Sequence, residues 1–482
     1  MASALFTVQP ALSKPADVVA LVGQAMTLRD KGDLTGALAK LDAALAVAPQ
    51  PSMRRGSIQS MRANVLAQLG RAAEALPAAE ESVATAPEIP QARIFLAALQ
   101  LDNGRPAEAA RTIVQVADLF ARDINNLDQD LVASIMWSLA ERKDQATRLE
   151  LALALVGHDF TAGAPGVTDW LRLIAVQGLV EQGRLEEARP IARSILGTEA
   201  LIRLLADRRY VALWSDLEAK AGPGLASQYS NGLQTLEAAH RAKPDDPRVI
   251  SYLTNLLRSI GRAEDAAAIA APATTDMQHV RRMGRDAFWA VNARAFALAE
   301  AGRVDEADAL MASLLTLGVK EHPDLVSIAI NRAATLLHYG RTKQALEAVD
   351  RAEAYGAANG YGNMWIVQVR TCALRALDRT AEADAVLAKL IDGRKSNAAA
   401  HIRALLCHDR LDDAERAVLD RLADPDERAD MLAVLQDYRT NEEPTYGAAL
   451  DAKLRAVRDR PSVRSAIERV GRIIPIAALD SF

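Results

Sequence analysis

The apolar residues of this chain gather in Ala- and Leu-rich stretches at helical spacing, and the stretches break at a recurring elbow. At the elbow a stretch ends in Gly, Arg usually follows, and Ala stands five places after the Gly. It occurs at Gly32…Ala37, Gly70-Arg71…Ala75, Gly104-Arg105…Ala109, Gly183-Arg184…Ala188, Gly261-Arg262…Ala266, Gly302-Arg303…Ala307 and Gly340-Arg341…Ala345. Two more copies carry Asp at the Gly position, Asp378-Arg379…Ala383 and Asp409-Arg410…Ala414. Four places before the elbow stands Leu28, Leu66, Leu179, Leu257, Leu298, Leu336, Leu374 or Leu405, with Gln100 the one departure. Each position has a mechanical reason. Gly can take the left-handed conformation that reverses a chain at a helix end. Ala in the first turn of the next helix lets the two helices approach closely. Leu one turn before the elbow lies on the face that meets the second helix, so the three together predict an antiparallel helical hairpin. Arg is expected to be solvated, its stem lying on apolar surface.

Weaker copies occupy the wide gaps. Trp137…Glu141-Arg142…Ala146 reads as a degenerate hairpin, and Asp207-Arg208…Ala212 keeps the register only in part. Ala221-Gly-Pro-Gly224 then precedes an unpaired helical stretch, and a smaller interruption lies at Gly157 to Gly166. The expected organisation is an N-terminal extension over 1–16, an array over 17–206, an irregular break with an extra helix over 207–247, and a second array over 248–424. A helical cap with an apolar tail follows over 425–482. Its helices are expected at about 426–439, 446–459 and 461–472, with the tail Ile473–Leu479 folding back onto the cap or docking elsewhere.

The order of small residues and turn glycine resembles the tetratricopeptide repeat, with Pro49 and Pro87 at its closing proline and Ala25, Ala63, Ala97, Ala295 and Ala333 at its small first-helix position. Most elbows here lie 37 to 42 residues apart, against about 34 in that repeat, and its aromatic residues are mostly missing. The chain resembles a divergent, bacterial-type member over roughly residues 17 to 424. That resemblance implies an all-α, right-handed superhelical solenoid of antiparallel helix-turn-helix repeats whose first helices line a concave groove.

Composition supports helix and says little else. Half the residues are hydrophobic but only 4% aromatic, and the 57 basic and 62 acidic residues nearly cancel to a net charge of −5. No footprint for nucleic acid or an anionic membrane follows from such a balance. No stretch is long and apolar enough to insert in a bilayer, and Met1–Val8 has no positive charge before its apolar residues. Two cysteines, Cys372 and Cys407, make a disulfide framework implausible and suit a reducing compartment, so a cytoplasmic protein is expected.

Candidate chemistry is sparse. The seven histidines form no H-E-x-x-H pair, and no nucleophile elbow, Walker loop or dinucleotide fingerprint occurs. His401, Cys407, His408 and Asp409 cluster on one predicted helix end without the three or four converging ligands a metal needs. No cofactor or metal is expected, and no enzyme. Trp170, Trp289 and Trp365 each stand thirteen residues before an elbow, on equivalent faces of three first helices. Either they pack between repeats or they line the groove as anchors for a peptide. Asn64, Ser251, Asn255, Arg248, Arg258 and Asn292 fall on the same implied surface, and Arg281, Arg282 and Arg285 form the densest basic patch. The leading expectation is a scaffold or adaptor that holds a protein or peptide partner, in an oligomeric state the sequence leaves open. The alternatives are an accessory scaffold of envelope polysaccharide or secretion machinery, which predicts an exported precursor, and a helical enzyme with an unfamiliar site.

Overall fold

A computed structural model describes residues 15–49, 51–356, 358–392, 397–440 and 445–479. The expected extension over 1–16 therefore lies, through residue 14, outside the described residues.

All nine elbows turn through the left-handed region, with φ between 57° at Asp409 and 83° at Gly261. At each, the amide of the residue after the elbow donates to the carbonyl five residues back, at 2.8–3.0 Å. Arg71 N to Leu66 O and Arg410 N to Leu405 O are examples. This 6→1 bond satisfies a carbonyl that the ending helix would otherwise leave open. The Ala five places on is fully buried in all nine copies, which is the close helix approach its size permits. Ala25, Ala63, Ala97, Ala295 and Ala333 are buried as well. Gln100 is accommodated because the Thr112 hydroxyl donates to its side-chain oxygen at 2.8 Å.

The Arg after the elbow does more than cover apolar surface. In seven copies it pairs with a carboxylate three residues on, Arg71–Glu74, Arg105–Glu108, Arg184–Glu187, Arg262–Asp265, Arg303–Glu306, Arg379–Glu382 and Arg410–Asp413, at 2.5–3.5 Å. The guanidinium holds Glu74, Glu187, Glu306, Glu382 and Asp413 below their ordinary carboxylate pKa, and the acidic group sits in the first turn, where the helix dipole favours it.

The degenerate hairpin is displaced from its expected register. Lys143, not Glu141, is left-handed, with φ 58°, and Asp144 N bonds to Leu139 O at 2.9 Å. Arg148 then occupies the place Ala holds elsewhere, and its burial lowers its pKa. Asp207 is not an elbow: its φ is −92°, and a 3₁₀ turn, Arg208–Tyr210, follows it.

The chain divides into two compact units at Gly163/Ala164, in the smaller of the two expected interruptions. The first unit holds four hairpins, whose first helices are Pro15–Asp30, Met53–Gln68, Pro90–Asp102 and Gln129–Glu141. The second opens with the hairpin Asp169–Glu181/Leu185–Ser194. Residues 207–247 lie inside this unit as helices Val211–Ala221 and Ala226–Ala242 with short 3₁₀ turns. Five more hairpins follow, with first helices Pro247–Ser259, Arg285–Glu300, Leu325–His338, Gly360–Ala376 and Ala398–Cys407.

Cys372 and Cys407 are joined in a disulfide, contrary to expectation, with Cα atoms 5.6 Å apart across 35 residues. They stand on consecutive first helices, which stacking brings side by side. The cap contains helices Arg428–Val434, Tyr446–Arg458 and Pro461–Val470. The expected helix at 426–439 is cut short at Val434, and Asp437–Arg439 forms a strand that pairs in parallel with the tail, Pro475–Leu479. The tail thus folds back on the cap. Arg472 beside it is anchored by the 206–218 region, its amide donating to Ala206 O at 2.9 Å and its guanidinium lying 3.7 Å from the Trp214 ring centroid.

Candidate partner-binding site

The hairpins of the second unit present a ladder of first helices, and the expected site residues are distributed along it. Trp170, Trp289 and Trp365 are half-buried on three of its rungs. Trp289 packs against a core that includes Phe288 and Val291, and Trp365 against one that includes Ile366 and Val369. Arg258 and Asn255 are brought together: Nη1 donates to Asn255 Oδ1 at 2.7 Å. Arg258 is only 4% exposed, pairs with Glu300 at 2.6 Å and lies 4.8 Å from the centre of the Phe296 ring. Asn292 is buried and accepts from Asn331 Nδ2 at 3.1 Å. Arg248 faces Asp286 at 3.5 Å, and Asn64, in the first unit, accepts from Gln68 at 2.6 Å. Of the basic patch, Arg281 and Arg282 are exposed and Arg285 pairs with Asp324 at 3.4 Å.

One feature of the ladder is absent from the sequence expectation. The cap helix Tyr446–Arg458, the cross helix, lies over the C-terminal ends of three successive first helices. At Leu325–His338, the His338 ring nitrogen is 3.2 Å from the Thr445 hydroxyl, and Gly447 sits so close that a Cβ there would run into the imidazole. At Gly360–Ala376, the Tyr446 hydroxyl donates to Cys372 O at 3.5 Å. At Ala398–Cys407, Arg403 pairs with Asp451 at 3.3 Å and Lys453 donates to Leu406 O at 3.2 Å. Lys453 also pairs with the elbow residue Asp409 at 2.5 Å. Thr445 caps the helix by accepting from Ala448 N, and Leu450 and Val457 are buried in the shared core, with Tyr446 and Leu454 packed beside them. Tyr446, Leu450, Leu454 and Val457 form one apolar stripe, which is the signal that could have revealed the docking. Burial first, then the nearby Arg403 charge, depresses His338 to about 4, so the ring is neutral at ordinary pH.

Between this cap and the ends of the first helices is a cavity of about 200 Å³ lined by Arg258, Glu300, His338, Tyr438, Arg439 and Arg455. Its charges are largely engaged with one another or with backbone: Arg258 with Glu300, and Arg439 with Ile260 O at 3.3 Å. The other sequence cluster has dispersed. Cys407 is bonded to Cys372, while His408 is buried between Thr371 Oγ1 at 2.8 Å and Asp384 at 3.3 Å, with burial lowering its pKa. Among the described residues no group of three His, Cys, Asp or Glu converges to hold a metal, and no helix is long and apolar enough to cross a membrane.

The hairpins are tetratricopeptide-like. No protein-family model matches the chain, and no curated protein does. Solved structures that it is similar to include the TPR domain of P58(IPK), 16% identical over 76% of this chain and 99% of that one, with a TM-score of 0.22. Yeast Tom70 is 11% identical over 95% and 100%, with a TM-score of 0.32. Naa15/Naa10 bound to HypK-THB is 13% identical over 83% and 68%, with a TM-score of 0.26.

Proposed function

We propose that the protein is a scaffold or adaptor, without catalytic chemistry of its own, that holds a protein or peptide partner on its first-helix ladders. The observation that carries this reading is the cross helix: the ladder of the second unit already receives a helix along its face, with apolar, charged and backbone groups matched to it. A surface that binds one helix in this way has the chemistry to bind another. Trp170, Trp289 and Trp365, with Arg248 and Asn255, are the groove residues of this proposal, and Arg281, Arg282 and Arg285 its basic margin; Arg258, buried against Glu300, and Asn292, bonded to Asn331, support the ladder from within. The near balance of charge favours protein over nucleic acid. The test is affinity capture from the native cells with mass spectrometry, wild type against the Trp289→Ala/Trp365→Ala double variant. Loss of the captured partner with unchanged helical circular dichroism supports the groove; unchanged capture overturns it.

A second reading is favoured by the Cys372–Cys407 bond, which weighs against the reducing cytoplasm expected from the cysteine count. On this reading the scaffold works in an oxidising compartment, as part of envelope polysaccharide or secretion machinery. Alkylation of the protein in intact cells, without reductant, decides: two blocked cysteines support this reading and two free thiols remove it.

A further inference from the structure

The cavity between the cap and the ends of the first helices is lined by four guanidiniums, those of Arg258, Arg439, Arg455 and Arg458, and by two carboxylates, those of Glu300 and Asp451. Pairing accounts for most of these charges. Both oxygens of Glu300 accept from Arg258, and Asp451 is held by Arg403, which does not line the cavity. Arg458 donates to both oxygens of Asp459 and to Asp437, again outside the wall. Arg439 and Arg455 are left, and among the described residues no carboxylate forms an ion pair with either. Arg439 uses one of its five N–H groups on Ile260 O, at 3.3 Å. Arg455, half-buried on the cross helix, makes no side-chain hydrogen bond, and the nearby Asp459 is already taken by Arg458. The His338 ring is neutral at ordinary pH and supplies no counter-charge.

The rest of the wall is partly apolar. Val434 is 44% exposed, an aliphatic side chain left in the open, and Leu454 and Leu479, half-buried, line the same space. Confined cations call for an anion, and uncovered aliphatic groups call for apolar surface. A molecule that answers both has one anionic end and an apolar body. Size narrows the choice: a cavity of about 150 Å³ takes benzene, so one of about 200 Å³ takes a ring bearing a single carboxylate.

We propose that this cavity binds a small organic acid of about the size of benzoate, its carboxylate held by Arg455 and Arg439 and its body lying against Val434, Leu454 and Leu479. The occupant ties the cross helix, through Arg455, to the strand Asp437–Arg439. That strand in turn is seated on the ladder, because the Arg439 guanidinium lies so close to Gly261 that a Cβ there would run into it. The site goes beyond the scaffold reading and does not depend on it, since it takes a small molecule under the cap whatever the ladder holds.

The experiment titrates the full chain with benzoate, read by calorimetry and by the thermal melt, alongside benzyl alcohol, which has the ring without the charge, and inorganic phosphate, which has charge without the ring. Benzoate is expected to bind and to raise the melt, and the other two are not. Arg455→Gln should weaken benzoate about tenfold or more, and Arg439→Gln several-fold, with the ligand-free melt of Arg455→Gln unchanged because its guanidinium bonds to nothing in the chain. Ala448→Leu, which fills the cavity and leaves both arginines in place, should abolish binding. No binding of benzoate, equal binding of benzyl alcohol or phosphate, or no effect of Arg455→Gln overturns the proposal. Binding gained only in the Glu442→Gln/Glu443→Gln variant would assign the two arginines to those carboxylates and overturn it too. A hexapeptide with a free C-terminus that binds more tightly than benzoate would assign the cavity to the end of a partner chain, with the same result.

Discussion

The two units are built from the same hairpin but finish it differently. In the second, the first-helix ladder is crossed by Tyr446–Arg458, and its positions six and two before the elbow are occupied by residues already in contact, such as Arg403 with Asp451 and His338 with Thr445. In the first, the corresponding positions hold exposed Met26 and Trp137 and exposed carboxylates. The repeat therefore specifies a ladder, not its use. A ladder residue contributes to stability where something lies on it, and is available for binding where nothing does.

The largest expected effect breaks that symmetry directly. Leu450 is 4% exposed at the centre of the cross helix, so Leu450→Ala removes buried methyl groups and leaves a cavity, costing about 3 kcal/mol. Trp137→Ala and Met26→Ala remove larger or equal side chains from the first unit yet should cost under about 0.5 kcal/mol, since those groups already face solvent. Denaturant unfolding of the three variants checks the contrast. A Trp137→Ala cost comparable to that of Leu450→Ala would show that the first ladder is covered too.

His338 gives a smaller effect tied to pH. Its pKa in the folded protein is about 4, below the roughly 6.5 of an unfolded chain, so between these values the unfolded state binds the extra proton. Stability contributed by the neutral ring is therefore present above about pH 6.5 and lost as pH falls towards 4, by at most about 3 kcal/mol and less where the ring can escape to solvent. The loss belongs to the second unit, because the ring sits under Thr445 and Gly447. His338→Gln should flatten the pH dependence of unfolding in this window. A slope unchanged by the substitution would remove His338 as its source.

How much of this was legible follows from what each feature demands of its residues. The left-handed elbow demands Gly, or Asp at a cost, so nine turns and the Ala that packs beside each could be read in advance. The disulfide could not be read from the number of cysteines. It could have been read from register, since Cys372 and Cys407 stand six and two places before consecutive elbows, on adjoining first helices. The cross helix was legible as a helix and its apolar stripe as a docking face, but where it docks depends on a surface assembled from three hairpins, which no local pattern encodes. The groove residues were legible only as positions: Arg258 looked like a groove cation, and its Glu300 partner lies one repeat away.

The tenth left-handed elbow lies two residues beyond the pair that resembles one in sequence, and it supplies the smallest test. Between Leu139 and Asp144 the 6→1 bond forms at 2.9 Å as in the other copies, but the residue that turns the chain is Lys143, with φ 58°. Lysine has no special tolerance for that conformation, which costs a side-chain-bearing residue roughly 1 kcal/mol. Glu141-Arg142 resembles the Gly-Arg pair more closely but lies two residues early, and Ala146 is exposed, so nothing packs there as Ala does elsewhere. Lys143→Gly should therefore stabilise the first unit by about 1 kcal/mol, less the extra freedom glycine gains when unfolded. In the second unit Asp409→Gly relieves a smaller backbone cost, since Asp tolerates that conformation better, and removes the carboxylate that Lys453 holds, so its net effect should be smaller or reversed. Thermal unfolding of the two variants side by side measures the difference. A larger gain at Asp409 than at Lys143 would mean that Lys453 contributes little to seating the cross helix, and that the filled ladder depends on its apolar stripe alone.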